Sequence, residues 1–193
     1  MYSIDKNVKN EIIINKSRFI TFLFKLNKKD DVETLINKVK NEYKDATHYC
    51  YAYIIDGYMK CTDDGEPSKT AGAPLLNVLE KNKLDYILVI VVRYFGGIKL
   101  GTGGLVRAYT RSITDCLNLV NVIELNKGYS IQIEFSHDNI KQIDLILKNI
   151  NITKSFGNFI IYNFCVKESD LEIIKNKLER YILKFKIINS VYI

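Results

Sequence analysis

An α+β chain in two parts is what the sequence predicts, and three observations predict it. Apolar residues alternate with a period of two in some segments and recur every three to four residues in others, the marks of half-buried strands and amphipathic helices. The pattern stops near residues 121–128 and restarts. After the restart the elements read β-α-β-β-α-β up to residue 193, which is the ferredoxin-like order. The expected domains are therefore 1–122 and 128–193.

In the first part, "SRFITFLFKL" (17–26) sets Ile20, Phe22, Phe24 and Leu26 on one strand face. "DDVETLINKVKNEY" follows as a helix with Val32, Leu35, Ile36, Val39 and Tyr43 on one stripe, and with Asp30 and Glu33 spaced as a capping box. "THYCYAYIID" (47–56) returns to period two, His48, Cys50, Ala52 and Ile54 opposite Tyr49, Tyr51 and Tyr53. "CTDDGEPSKTAGAP" (61–74) holds both prolines and reads as loop; "PLLNVLEKN" is a short helix with Pro74 in its first turn. "DYILVIVVRYF" (85–95) is nearly all apolar, as a strand covered on both faces should be. A glycine loop leads to a helix from about 103 to 119 with a stripe of Leu105, Val106, Tyr109, Ile113, Cys116 and Leu117.

In the second part, "YSIQIEF" is a strand and "HDNIKQIDLILKN" a helix with Ile140, Ile143 and Leu147 inward. "INITKSF" and "FIIYNFCVK" are strands joined by Gly157-Asn158, read as a two-residue turn. Ser169 and Glu172 form a second capping box before a helix bearing Leu171, Ile174, Leu178 and Tyr181, and "KFKIINSVYI" closes the unit as a strand.

Composition narrows the function classes. Net charge is +6 over 193 residues, spread through both parts without a basic tail. That permits an acidic partner such as RNA and establishes none; nothing signals DNA in particular. Charged residues interrupt every apolar run, so no membrane-spanning helix is expected, and the first residues lack the apolar stretch of a secretory signal. Cys50, Cys61, Cys116 and Cys165 form no CxxC pair, which suits reduced thiols in a cytoplasm better than disulfides or zinc.

"RYFGGIKLGTGGLVRAY" (93–109) concentrates five of the ten glycines between a buried strand and a helix, with Arg93, Lys99 and Arg107 among them and Arg111 one turn on. Helix N-termini expose unpaired N–H groups, glycine lets an anion approach them, and cations add charge. A phosphate or RNA-backbone site is one reading. The steric reading is a tight turn at Gly96-Gly97, with Gly103-Gly104 allowing helix and strand to pack closely. The segment is neither a Walker A loop nor a GxGxxG fingerprint.

"DDGEPSKTAG" brings Asp63, Asp64 and Glu66 within four positions. They can be read as Mg²⁺ ligands, as solvated loop residues, or as partners of Arg93 or Arg107 in an internal lock between the two segments. Ser68 and Thr70 lack an adjacent base, and His48 with Cys50 on one strand face has no third catalytic partner. No catalytic residue, cofactor or resident metal is assigned. Tyr49, Tyr51 and Tyr53 would stack bases if their sheet face were open and would be core if it were covered.

"ATHYCYAYI", "DDGEPSKTAGAP" and "VVRYFGGIKLGTGGLVRAY", in that order, resemble the signature segments of the IMPACT/YigZ family over roughly 17–118, and the restart after 128 resembles the small C-terminal domain of bacterial members. The resemblance implies an N-terminal domain like domain 2 of ribosomal protein S5 and a C-terminal domain similar to the final domain of elongation factor G. It also implies a role in translation control, eukaryotic IMPACT being a translational regulator. Its motif positions here include Asp63, Asp64, Gly65, Glu66, Pro67 and Ser68, then Arg93, Tyr94, Gly96, Gly97, Gly101, Gly103, Gly104, Arg107 and Tyr109. Ala73 departs from it, standing where many relatives carry arginine, and Lys69 lies nearby where glycine is common.

The expected function is a non-enzymatic regulator that binds RNA or the ribosome through Arg93, Lys99, Arg107, Arg111 and Lys69 around Gly101, Gly103 and Gly104. Two alternatives stand beside it. One is a phosphate- or nucleotide-binding enzyme using the glycine loop with Asp63, Asp64 or Glu66. The other is a protein-interaction scaffold.

Overall fold

The structure, a computed structural model, describes residues 1–193 and divides into two compact units, Met1–Glu124 and Leu125–Ile193. The first runs β1 (Tyr2–Ile4), β2 (Val8–Ile14), β3 (Ser17–Lys25), α1 (Asp31–Glu42), β4 (His48–Ile55), β5 (Tyr58–Thr62), α2 (Gly72–Lys81), β6 (Ile87–Tyr94), α3 (Gly101–Leu117) and β7 (Val122–Glu124). Five strands pair antiparallel in the order β2-β3-β6-β4-β5, and β1 pairs with β7 apart from them.

Strand parity builds two cores on this sheet. Ile20, Phe22, Leu88, Ile90, Val92 and Tyr53 face α1, whereas Phe19, Leu23, Val89, Val91, Cys50 and Ala52 face α2 and α3. β6 is covered on both sides, which explains its unbroken apolar run. The tyrosine row is resolved by the same parity. Tyr53 is buried and Tyr49 and Tyr51 are partly buried against the α1 side, so the row is core and not an open stacking platform.

Some boundaries differ from the sequence reading, each for a local reason. Residues 2–14 and 58–62 form strands that apolar alternation alone does not mark. β2 is an edge strand whose Ile13 is 69% exposed, which blunts its pattern. Two tight turns create these hairpins: Asn15-Lys16, with φ of 45° and 63°, and Asp56-Gly57, with φ of 51° and 73°. Positive φ at both central residues is the turn geometry that matches strand twist, and Asp-Gly is a strong sequence signal for it. Neither capping box forms. The Asp31 carboxylate instead accepts from the N–H groups of Asn27 and Lys28, and Ser169 donates to Asp170.

The second unit runs β8 (Lys127–Phe135), α4 (Ile140–Ile146), β9 (Ile152–Phe156), β10 (Ile160–Lys167), α5 (Leu171–Leu178) and β11 (Lys184–Tyr192). Its sheet is antiparallel in the order β11-β8-β10-β9. Ile131, Ile133, Phe135, Tyr162 and Phe164 on one face pack with Ile143 and Leu147 near α4 and Leu178 of α5. Phe156 pairs with Ile160, so the β9–β10 turn is the three residues 157–159 and not the two residues Gly157-Asn158. No helix is long and apolar enough to cross a membrane.

Candidate functional site

Parity also builds the site. Arg93 continues the Val89–Val91 face of β6, so it points beneath α3 where the next apolar residue would sit. Its Cα partners are His48 on β4 and Phe19 on β3. A buried guanidinium must find an anion, since an isolated charge in an apolar site is very costly. Glu66, brought in by the loop after β5, supplies it: Arg93 Nη1 lies 2.5 Å from Glu66 Oε1, with both side chains at most 5% exposed. Tyr109 of α3 donates to the same carboxylate oxygen at 2.8 Å, and Arg93 Nη2 donates to Ser17 Oγ at 3.3 Å. The two signature segments are thus joined by an internal ion pair.

The other two acids serve the loop. Asp63 accepts from the N–H groups of Lys69, Ala71 and Gly72 at 2.8–2.9 Å and so caps α2 from eight to nine residues upstream. Burial pushes its carboxyl up, but these backbone donors outweigh burial and hold it below the usual carboxylate value. Asp64 accepts from the Tyr49 N–H at 2.7 Å. The reading of Asp63, Asp64 and Glu66 as one Mg²⁺ set is therefore corrected, because the three carboxylates diverge onto α2, β4 and Arg93. No group of three or more His, Cys, Asp or Glu is arranged to hold a metal.

His48 and Cys50 are consumed in the same way. The Asp64 carbonyl can only accept, so His48 Nδ1 donates to it at 2.8 Å and Nε2 is left 3.8 Å from Glu66 Oε2. The Cys50 thiol lies 3.0 Å from the Asp63 carbonyl and 3.3 Å from the Tyr109 hydroxyl. Burial pushes this thiol up to about 12, which removes it as a nucleophile at neutral pH, and burial likewise pushes the Tyr109 phenol up.

Above the ion pair a cleft of about 450 Å³ opens. Thr47, His48, Glu66, Arg93 and Lys99 are its polar lining residues, Pro67, Phe95, Leu100 and Leu105 its apolar ones, and Gly101 and Thr102 at the start of α3 complete it. Of the predicted anion-site residues, Arg93, Lys99 and Gly101 meet here. Arg93 is spent on Glu66, which corrects its reading as a cation offered to a macromolecule. Gly103, Gly104, Arg107, Arg111 and Lys69 do not line the cleft. Arg107 is exposed on the next turn of α3, Arg111 pairs with Asp115 at 3.3 Å, and Lys69 is exposed beside the α2 cap. Thr47, Phe95 and Ser17 belong to the neighbourhood without having been singled out; their registry opposite or beside Arg93 is the signal that finds them.

The glycines divide by role. A Cβ on Gly96 would lie 2.0 Å from the Lys16 backbone carbon, so close approach to the β2–β3 turn demands glycine there. A Cβ on Gly103 would meet only the Arg107 guanidinium at 3.5 Å, so helix–strand packing does not account for that position.

Comparison with known proteins follows the same segments. The Impact N-terminal domain family matches residues 15–117. The chain is 45% identical over 126 residues to the IMPACT family member YvyE of Bacillus subtilis, covering 64% of this chain and 58% of that protein. It is 40% identical over 109 residues to the IMPACT family member YigZ of Escherichia coli, covering 54% and 53% respectively. The matches thus span little more than half the length of these relatives. A crystal structure of a hypothetical protein is 26% identical, covers 97% of both chains and superposes with a TM-score of 0.69.

Proposed function

This chain belongs to the IMPACT family, and from that premise we propose that it is a non-enzymatic, cytoplasmic, translation-associated regulator that binds RNA or the ribosome. One observation carries the reading: the acids, the histidine and the buried thiol of the signature segments are engaged internally, while Lys99 and Arg107 near the start of α3 are exposed. Glu66, Asp63, Asp64, His48 and Cys50 all hold other parts of the unit together. Lys99 just before α3 and Arg107 on its second turn are exposed, and the first turn of α3 contains no acidic residue; Lys69 is exposed beside the α2 cap and Arg111 farther along α3. Cations set about an uncapped helix start suit phosphate oxygens.

The domain assignments belong to the same proposal. Residues 1–122 are read as the S5 domain 2-like module, and residues 128–193 as the ferredoxin-like module similar to the final domain of elongation factor G. The antiparallel order β11-β8-β10-β9 supports the second assignment. RNA binding by the purified chain at two salt concentrations, with Arg107→Ala/Arg111→Ala alongside, tests the function. Binding should fall steeply with salt, because phosphate contacts release counterions, and should be lost in the double variant. Equal affinity in a folded double variant would remove these residues from the interface.

A further inference from the structure

The second unit exposes apolar side chains where its helices do not need them. α4 buries Ile143 and packs Ile140 and Ile146 against the core; α5 buries Leu178 and packs Leu171 and Ile174. Those residues complete the inward stripe of each helix. Leu145 and Ile173 stand outside it and are 73% and 56% exposed. Leu145 is the most exposed large apolar side chain of the chain, and the three helices of the first unit expose only one such residue, Val106, at 37%.

Helical spacing places the two on the walls of one groove. Gln142, Leu145 and Ile146 follow the i, i+3, i+4 spacing of a single helix face. Ile173, Asn176, Lys177 and Arg180 follow i, i+3, i+4 and i+7, with Arg180 in the single turn directly after α5. The first set and the last three residues of the second line a cavity of about 390 Å³, and Ile173 continues the second wall by one turn. Ile146 and Tyr181, which also pack on the core, add apolar surface inside it.

The charge of the groove has one sign. Lys177 and Arg180 line it and no acidic residue does. Asp144, the acid of α4, is instead bonded to Lys154 and Tyr162. Arg180 lies over the Tyr181 ring, 4.7 Å from its centroid, and neither cation pairs with a carboxylate. An apolar centre with a charged rim is the anatomy of a protein interface.

These features choose among occupants. A second copy would bring Lys177 and Arg180 against an equally positive surface, and like charges across an interface are unfavourable. A nucleic-acid backbone would satisfy the cations but leave Leu145 and Ile173 in water. A helix with one apolar stripe flanked by carboxylates satisfies both, by the helix-in-groove mode of recognition. We propose that the α4–α5 groove docks an acidic amphipathic helix of a partner protein, its apolar anchors against Leu145 and Ile173 and its carboxylates at Lys177 and Arg180. The proposal does not depend on the RNA-binding reading, whose residues Lys69, Lys99, Arg107 and Arg111 all belong to the first unit.

The test uses the whole chain and two labelled helical peptides that share leucines at i, i+3 and i+7, one with Glu at the flanking positions and the other with Lys. Fluorescence anisotropy should show the Glu peptide binding and the Lys peptide binding about tenfold more weakly. Leu145→Ser/Ile173→Ser should weaken the Glu peptide about tenfold and keep the parent's Tm, since both side chains are largely exposed. Lys177→Glu/Arg180→Glu is the sharper variant, because it should reverse the preference and make the Lys peptide the tighter one. No binding of the Glu peptide at millimolar concentration, equal affinity for both peptides, or undiminished binding by folded Leu145→Ser/Ile173→Ser would overturn the proposal. So would an oligoribonucleotide whose affinity falls in Lys177→Glu/Arg180→Glu while the Glu peptide does not bind, which would assign the groove to RNA. A concentration-dependent dimer abolished by Leu145→Ser would overturn it in favour of a second copy.

Discussion

Residues 1–124 bury Ser3, Ser17, Thr21, Glu66, Thr70, Asp85, Arg93 and Ser112, whereas residues 125–193 bury no polar or charged side chain apart from the Tyr162 phenol. The ion pairs differ in the same way. Glu66–Arg93 is buried at 2.5 Å, while Lys127–Glu168, Lys154–Asp144 and Lys184–Glu134 in the second unit sit at its surface. The second unit is held by apolar packing and tolerates polarity at its rim. The first has built a buried polar network at one end of its sheet, directly under a cleft. Such networks cost desolvation, which the Glu66, Tyr109 and Ser17 contacts offset here while the Arg93 Nε–H stays without an acceptor.

The comparison breaks most visibly at the ion pair. Arg93→Ala or Glu66→Gln leaves one member of a buried pair without its partner and should cost about 3–5 kcal/mol in urea denaturation. The double replacement Glu66→Leu/Arg93→Met should cost less than either single change, since no charge is then stranded. A double variant as unstable as the sum of the singles would show that the pair is not the coupling element. No surface pair of the second unit should approach this; Lys184→Ala should shift stability by less than about 0.5 kcal/mol.

Two phenols sharpen the contrast. Tyr109 and Tyr162 are both 0% exposed. The Tyr109 hydroxyl, however, donates inside the core to Glu66, whereas the Tyr162 hydroxyl donates to the rim residue Asp144 at 2.9 Å. Tyr109→Phe deprives a buried carboxylate of a donor and should cost about 2–3 kcal/mol, whereas Tyr162→Phe should cost about 1 kcal/mol. Equal losses measured by denaturation would erase the distinction drawn between the two units.

The α2 cap gives a smaller effect with a pH signature. Asp63→Asn should cost about 1–2 kcal/mol. Its folded carboxyl titrates below the ordinary value of 3.8, so its contribution is present above that pH and is lost as pH falls through the lower, folded value. The parent should therefore lose Tm more steeply than Asp63→Asn on acidification below 3.8. Parallel curves would mean that the carboxylate charge at position 63 is not what holds α2. Smallest of all, Arg111→Ala breaks only an exposed pair with Asp115 and should change stability by about 0.5 kcal/mol or less, leaving RNA affinity as its readout.

Apolar periodicity by itself determined the helices, the central strands, the two-part organisation and the β-α-β-β-α-β order, because the spacing of buried side chains is a local property of each element. The signature segments were legible too, as was the link between them as one of several partners for the acids. Tertiary structure decided which partner each acid took. Asp63, Asp64 and Glu66 are near neighbours in the chain, yet the turn through Asp64 and Gly65, both at positive φ, sends them to α2, β4 and Arg93. It also decided that α1 covers the tyrosine row and that Arg93 lies inside while Arg107 lies outside. A residue's type fixes what it must bond to if buried, but burial depends on which strands and helices meet around it, and those lie far apart along the chain, Ser17 and Arg93 by 76 residues.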